Sequence, residues 1–142
     1  MADLTWKRIL CPVDFSEESR AALRVAVDLC RRLGAALTLF HVHDRTPNVA
    51  SQAPAADRLA EWGREARAAG IGEVATAEAD GDPERVIAEE AEREGCDLIV
   101  MGTHGREGRD RSLAGSVAES TVRRARCPVL AVHAEWQRSD AR

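Results

Sequence analysis

The stretch "GDPERVIAEEAEREGCDLIVMGTHG", residues 81–105, runs from a helix into a strand and then into glycines. Asp82 is placed to cap a helix and Pro83 suits its first turn. Val86, Ile87 and Ala91 recur at helical spacing, and Gly95 is a stop signal. "CDLIVMG", residues 96–102, is too continuously apolar for a surface strand, so it reads as a parallel strand buried on both faces. Helix followed by buried strand is half of a βαβ unit, and the remaining sequence is expected to supply the other units.

Working outward, "RILCPV", residues 8–13, is a short apolar strand, and Ser16 with Glu17 and Glu18 opens a helix that Gly34 ends. "ALTLFHV", residues 36–42, is the second strand, and a polar loop with two prolines leads to a helix over about residues 55–69. "EVATAEA", residues 73–79, is the weakest strand, a helix near residues 115–125 follows the glycines, and "CPVLAVH" closes the chain's pattern as strand five. The order βαβαβαβαβ predicts one α/β domain over residues 1–142, with an open, mainly parallel sheet and helices on both faces. In such sheets ligands sit beyond the carboxyl ends of the strands, where the strand order reverses. The loops after strands one and four meet there if those strands are neighbours.

Composition excludes several classes. With 142 residues, 44% hydrophobic and 31% charged, the chain has the makings of a globular domain, and no apolar run approaches the roughly 20 residues of a membrane helix. The N-terminus lacks a basic head followed by an apolar segment, so the expected location is the cytoplasm. A net charge of -4 gives no general reason to expect nucleic acid as a partner. Charge is nevertheless uneven: Asp80 to Asp97 holds eight acids and two arginines, whereas Met101 to Arg126 holds six arginines and three acids. The acidic run reads as a solvated helix face. Cys11, Cys30, Cys96 and Cys127 form no C-x-x-C pair and are expected to be buried thiols.

Gly102, Gly105, Gly115 and Ser116 spell G-x2-G-x9-G-S. Bare backbone allows positive φ and close approach, so successive N–H groups can turn to one anion while the following helix adds its own unpaired donors. The pattern is not a Walker A loop, since the sole lysine is Lys7, and no G-x-G-x-x-G follows the first strand. A helix end contributes only about 0.3–2 kcal/mol to an anion, and micromolar affinity needs about 8 kcal/mol. A nucleotide therefore requires further groups. Pro12, Val13 and Val42 offer apolar wall, and Asp14 can accept from a ribose hydroxyl, hold Mg²⁺, or cap the next helix.

"ILCPVDFSEESRAAL", "LTLFHV", "GDPERVIAEEAEREGCDLIVMGTHGREG" and "LAGSVAESTVRRARCPVLAV" resemble the universal stress protein family over nearly the full chain. G-x2-G-x9-G-S/T is the signature of that family's ATP-binding branch. The resemblance implies a Rossmann-like five-stranded sheet of order 3-2-1-4-5, binding of ATP or AMP, homodimers paired through strand five, and a regulatory part in stress survival. It further implies that Pro12, Val13 and Asp14 line the adenine and ribose side, that Val42 bonds the adenine through its backbone, and that Met101 borders the pocket. Gly102, Gly105, Gly115, Ser116 and Val117 would hold the phosphates and ribose. "RDRSLA", residues 109–114, is more polar than the leucine-rich stretch of relatives, which makes Arg109 and Arg111 candidate phosphate contacts, and His104 is a further candidate as an imidazole able to titrate near neutrality.

Two other readings stay open: a dimeric scaffold or regulator that needs no nucleotide, and an enzyme. For the latter the loop offers His104, Glu107, Asp110 and arginines, so slow ATP hydrolysis or autophosphorylation at Ser112 or Ser116 is the most the residues support. His41 and His43 point the same way beside Asp44, but two histidines without a third ligand favour strand-end packing over a metal. No protein metal cluster is expected, and Mg²⁺ would arrive with nucleotide phosphates. Strand five, Pro128 to Val132, would be an apolar edge open to a second copy.

Overall fold

The computed structural model describes residues 5–43, 54–103 and 115–134. Its elements are β1 (Arg8–Pro12), α1 (Glu17–Leu33), β2 (Ala36–His43), α2 (Ala55–Ala68), β3 (Val74–Asp80), α3 (Pro83–Glu94), β4 (Leu98–Gly102), α4 (Ser116–Arg124) and β5 (Val129–Val132). The strands form one sheet of order β3-β2-β1-β4-β5, and every neighbouring pair is parallel. Strand order reverses between β1 and β4, so the expected adjacency of those two strands is present.

The alternation of side chains along each central strand sorts the core into two clusters. Ile9, Cys11, Leu37, Leu39, Leu98 and Val100 face α1 and α2, where Ala22, Leu23, Ala26, Leu59 and Trp62 cover them. Leu10, Phe40, Val42, Ile99 and Met101 face the other way, against Val86, Ile87 and Ala91 of α3 and Ala118 of α4. Burial of each large side chain is worth about 1.5–3 kcal/mol, and both faces of β1, β2 and β4 collect it. This is why their sequences are continuously apolar. The edge strand β3 is largely exposed, which explains its weak pattern.

Helix ends follow the sequence signals. Ser16 caps α1 by accepting from the Ser19 amide, and Asp82 caps α3 by accepting from the Glu84 amide at 3.0 Å. Gly95 ends α3 with φ 69°, a left-handed conformation that disfavours a side chain. Strand ends differ from expectation. β4 starts at Leu98 and not at Cys96, because Asp97 turns aside: its Oδ2 accepts from the amides of Lys7 at 2.8 Å and Arg8 at 3.0 Å. β5 starts at Val129, since Pro128 has no N–H to pair, although its carbonyl accepts from the Ile99 amide at 3.0 Å.

The cysteines are also less uniform than expected. Cys11 and Cys30 are buried, but Cys96 and Cys127 are only half-buried at the amino end of the sheet. Desolvation pushes the Cys96 thiol up to about 11, with smaller contributions from nearby Cys127 and Glu94; burial also raises Cys30 to about 11, Cys127 and, furthest, Cys11. Iodoacetamide should therefore modify Cys96 and Cys127 in the native protein, and Cys11 and Cys30 only after denaturation, as peptide mass spectrometry would register. Because the thiolate is the nucleophile, the Cys96 rate should climb about tenfold per pH unit between about pH 7 and 10.

Gly102 closes β4 against the first turn of α1. A Cβ there would lie 2.7 Å from the carbonyl carbon, the oxygen and the Cβ of Glu18, and helix backbone cannot move aside. Gly102→Ala should lower the unfolding free energy by about 2 kcal/mol, in the range of overpacked cores, measured by urea denaturation.

Candidate functional site

Because each helix follows a strand, helix N-termini gather at the carboxyl edge of the sheet. The β1–α1 turn is the most tightly tied segment there. Val13 donates from its amide to the Phe40 carbonyl at 2.8 Å, and its own carbonyl accepts from His41 Nδ1 at 2.8 Å. Asp14 donates its amide to Ser19 Oγ at 2.8 Å, while its Oδ1 accepts from the Ser16 amide at 3.0 Å, Ser19 Oγ at 2.6 Å and Ser16 Oγ. Of the roles considered for Asp14, organising the start of α1 is the one these bonds demonstrate.

Phe15 follows with φ 66°, the only non-glycine residue at positive φ among those described. For a bulky side chain this conformation costs about 1–2 kcal/mol. Its ring lies 4.9 Å from that of His41 and meets Trp62 edge-on at 5.3 Å, and the Arg58 guanidinium sits 4.3 Å above it. Arg20 covers Trp62 at 4.0 Å and pairs with Glu65. The sequence pattern contained no sign of this cluster, since Phe15 lies in a turn, outside any apolar period.

Pro12, Val13, Val42 and Met101 are buried along the same edge, and Asp14 is exposed. β1 ends opposite Phe40, whereas β2 continues to His43, so Val42 lies where β2 has outrun its neighbour. Gly102 ends β4 beside Val132, and Thr103 continues the pairing by donating its amide to the Val132 carbonyl at 3.0 Å. Gly102 and Gly115 are both absent from the positive-φ glycines, and Gly102 is occupied in packing on Glu18. Of the two freedoms that glycine offers, positive φ and close approach, Gly102 uses the second. His104, Gly105, Arg109, Arg111 and Ser112 lie outside the described residues, as does Asp44.

Across the α3 and α4 side an open groove of about 590 Å³ is lined by Gly81, Asp82, Pro83, Glu84, Arg85, Ser116 and Val117. Among the described residues expected at the site, Ser116 and Val117 line it and Pro12, Val13, Asp14, Val42, Met101, Gly102 and Gly115 do not. The β3–α3 turn was missed as a wall because "DGDP" reads equally well as a helix start. The two helix N-termini at this groove differ. The first-turn donors of α3 have the Asp82 carboxylate, but α4 begins at Gly115, which has no side chain to cap it. N–H groups at Ser116 and Val117, which Gly115 has no side chain to cap, suit an anion with the positive end of a helix behind them. Asp82 and Glu84 opposite suit hydroxyl and amino donors.

The histidines have other occupations. His41 Nδ1 must carry its proton, because a carbonyl only accepts, and His43 Nε2 lies 2.6 Å from Glu78 Oε1 across to β3. Their rings meet edge-on at 4.8 Å, in keeping with strand-end packing. No group of three or more His, Cys, Asp or Glu among the described residues is arranged to hold a metal, and no described helix is long and apolar enough to cross a membrane.

Comparison with known proteins agrees with this architecture. The universal stress protein family model matches residues 5–133. Universal stress protein MJ0531 of Methanocaldococcus jannaschii is 35% identical over 139 residues, 89% of this chain and 82% of that protein. The solved structure of UspA from Lactobacillus plantarum superimposes with a TM-score of 0.79 at 26% identity, covering 92% of this chain and 99% of the other. A universal stress protein solved in complex with cAMP gives a TM-score of 0.77 at 24% identity, covering 92% and 99%. A doubly covered parallel sheet of order 3-2-1-4-5, matched from the β1 approach to the end of β5, makes this chain a member of the universal stress protein family.

Proposed function

We propose that this protein binds an adenine nucleotide, ATP or AMP, at the carboxyl edge of its sheet and acts in the cytoplasm as a regulatory module in stress response. The observation that carries the reading is the start of α4, where Gly115 brings no capping side chain and Ser116 and Val117 line a groove with the β3–α3 turn. Phosphate would be held by those amides together with the glycine loop. The apolar residues Pro12, Val13, Val42 and Met101 would flank the base, and Asp14 the ribose. The cAMP-bound relative supports the capacity of this fold for an adenine nucleotide. Fit of the cofactor is chemical: an anion-seeking helix end on one wall, carboxylates for hydroxyl donors on the other. Mg²⁺, when carried by the nucleotide, would screen phosphate charge from Asp82 and Glu84.

One observation favours a second reading, a scaffold that works without nucleotide. Gly102, the first glycine of the motif, is already required by its contact with Glu18, so its presence does not by itself argue for a ligand. Calorimetric titration of MgATP and AMP into wild type and Gly115→Val separates the two. The nucleotide reading expects micromolar binding by wild type, about 8 kcal/mol, and at least about tenfold weaker binding by the variant, because a β-branched side chain crowds the start of α4. Absence of binding by wild type supports the scaffold.

We further propose that two copies pair through β5. It is an edge strand, Leu130 is 40% exposed on it, and unpaired edge backbone seeks another strand. Sedimentation at tens of micromolar should yield a dimer for wild type and a monomer for Leu130→Lys, since a charge on the edge opposes pairing.

A further inference from the structure

We infer that Phe15 is a positioning residue for the crevice: its ring, clamped by His41, Trp62 and Arg58, fixes the Val13–Asp14 peptide that forms the crevice's β1 wall. That peptide is held at both ends. Its carbonyl accepts from His41 Nδ1 at 2.8 Å, and its N–H donates to Ser19 Oγ at 2.8 Å. The His41 ring can keep this bond only while its plane is held. Phe15 stacks on that ring from one side at a tilt of 39°, and His43 meets it edge-on at 87°. In turn, His43 is tied to Glu78 on β3, so of the two aromatic contacts to His41 one is anchored within the sheet and the other is Phe15.

The backbone of Phe15 supplies the second strand of reasoning. A glycine would take φ 66° freely, yet this position carries a bulky aromatic residue in that conformation. The unfavourable torsion persists because the side chain is held by contacts from three residues on two elements: His41 on β2, and Trp62 and Arg58 on α2. The same torsion turns the chain so that Asp14 Oδ1 faces Ser16 and Ser19. Phe15 therefore links α2 to the orientation of Asp14, although no residue of α2 lines the groove at Ser116.

For its ligand this inference rests on the nucleotide reading; for the rigidity of the turn it does not, and the experiment separates the two. Phe15→Gly removes the ring while favouring the torsion, Phe15→Leu keeps apolar bulk without stacking, and Phe15→Tyr retains the ring. Amide hydrogen exchange by NMR reports on the Asp14 N–H, with the core amides of Leu10 and Ile99 as reference for global stability. In Phe15→Gly and Phe15→Leu, exchange at Asp14 should accelerate at least about tenfold relative to those core amides. AMP affinity should fall about tenfold in both variants, and Phe15→Tyr should restore both quantities. Asp14 exchange that follows the core amides in both ring-deleted variants overturns the positioning role. Faster Asp14 exchange with unaltered AMP affinity overturns its connection to binding. If wild type binds no AMP, the nucleotide reading fails and Asp14 exchange alone decides the role of Phe15.

Discussion

A parallel strand buried on both faces needs helices on both sides, and one crossover covers only one side. β1 meets this constraint by lying between β2 and β4, the two directions in which the sheet grows. The helices that cross toward β2 and β3, α1 and α2, cover one cluster, and those that cross toward β4 and β5, α3 and α4, cover the other. At the carboxyl ends of β1 and β4 the connections therefore part, and no crossover covers the space between them. The crevice is a consequence of covering the sheet. Its chemistry depends on which backbone groups the loops around it leave unspent.

Those groups are distributed unequally. At the start of α1, Asp14, Ser16 and Ser19 satisfy one another, and at the start of α3 the Asp82 carboxylate serves the Glu84 amide. α4 has at its N-cap Gly115, which brings no side chain, and Ser120 inside it donates outward to the Glu84 carbonyl at 2.9 Å, tying the helix to α3. Thr121 is fully buried and returns its hydroxyl to the Val117 carbonyl at 2.7 Å. α4 is thus tied to α3 along its body, while its N-cap residue spends no side chain on its first donors.

Much of this was legible in the sequence because the signals are local. Ser16, Asp82, Pro83, Gly34 and Gly95 announce helix ends through short-range bonding, and the apolar runs of β1, β2 and β4 announce burial on both faces. Contacts between distant segments were not legible. Asp97 delays β4 by serving amides of Lys7 and Arg8, 90 and 89 residues away in the chain. Gly102 was read as a ligand glycine, and only the approach of α1 reveals a packing reason for it. Phe15 was silent because torsion and stacking, not periodicity, define its place. The groove wall at Gly81 to Arg85 needed the spatial meeting of α3 with α4.

The same bonding bears on whether the edge is built for chemistry or for occupancy. Phosphoryl transfer asks for a base or water-orienting group whose hydrogen bonds are available to the reacting atoms. Among the described residues of the edge, Asp14 Oδ1 is engaged by Ser16 and Ser19, Asp82 caps α3, and the Nδ1 proton of His41 belongs to the Val13 carbonyl. Arg85, the cation lining the groove, is held by both oxygens of Glu89 at 3.0 and 3.1 Å. Groups committed in this way define the shape and charge of a cavity better than they move protons. On the described edge these groups are spent on holding that shape and charge.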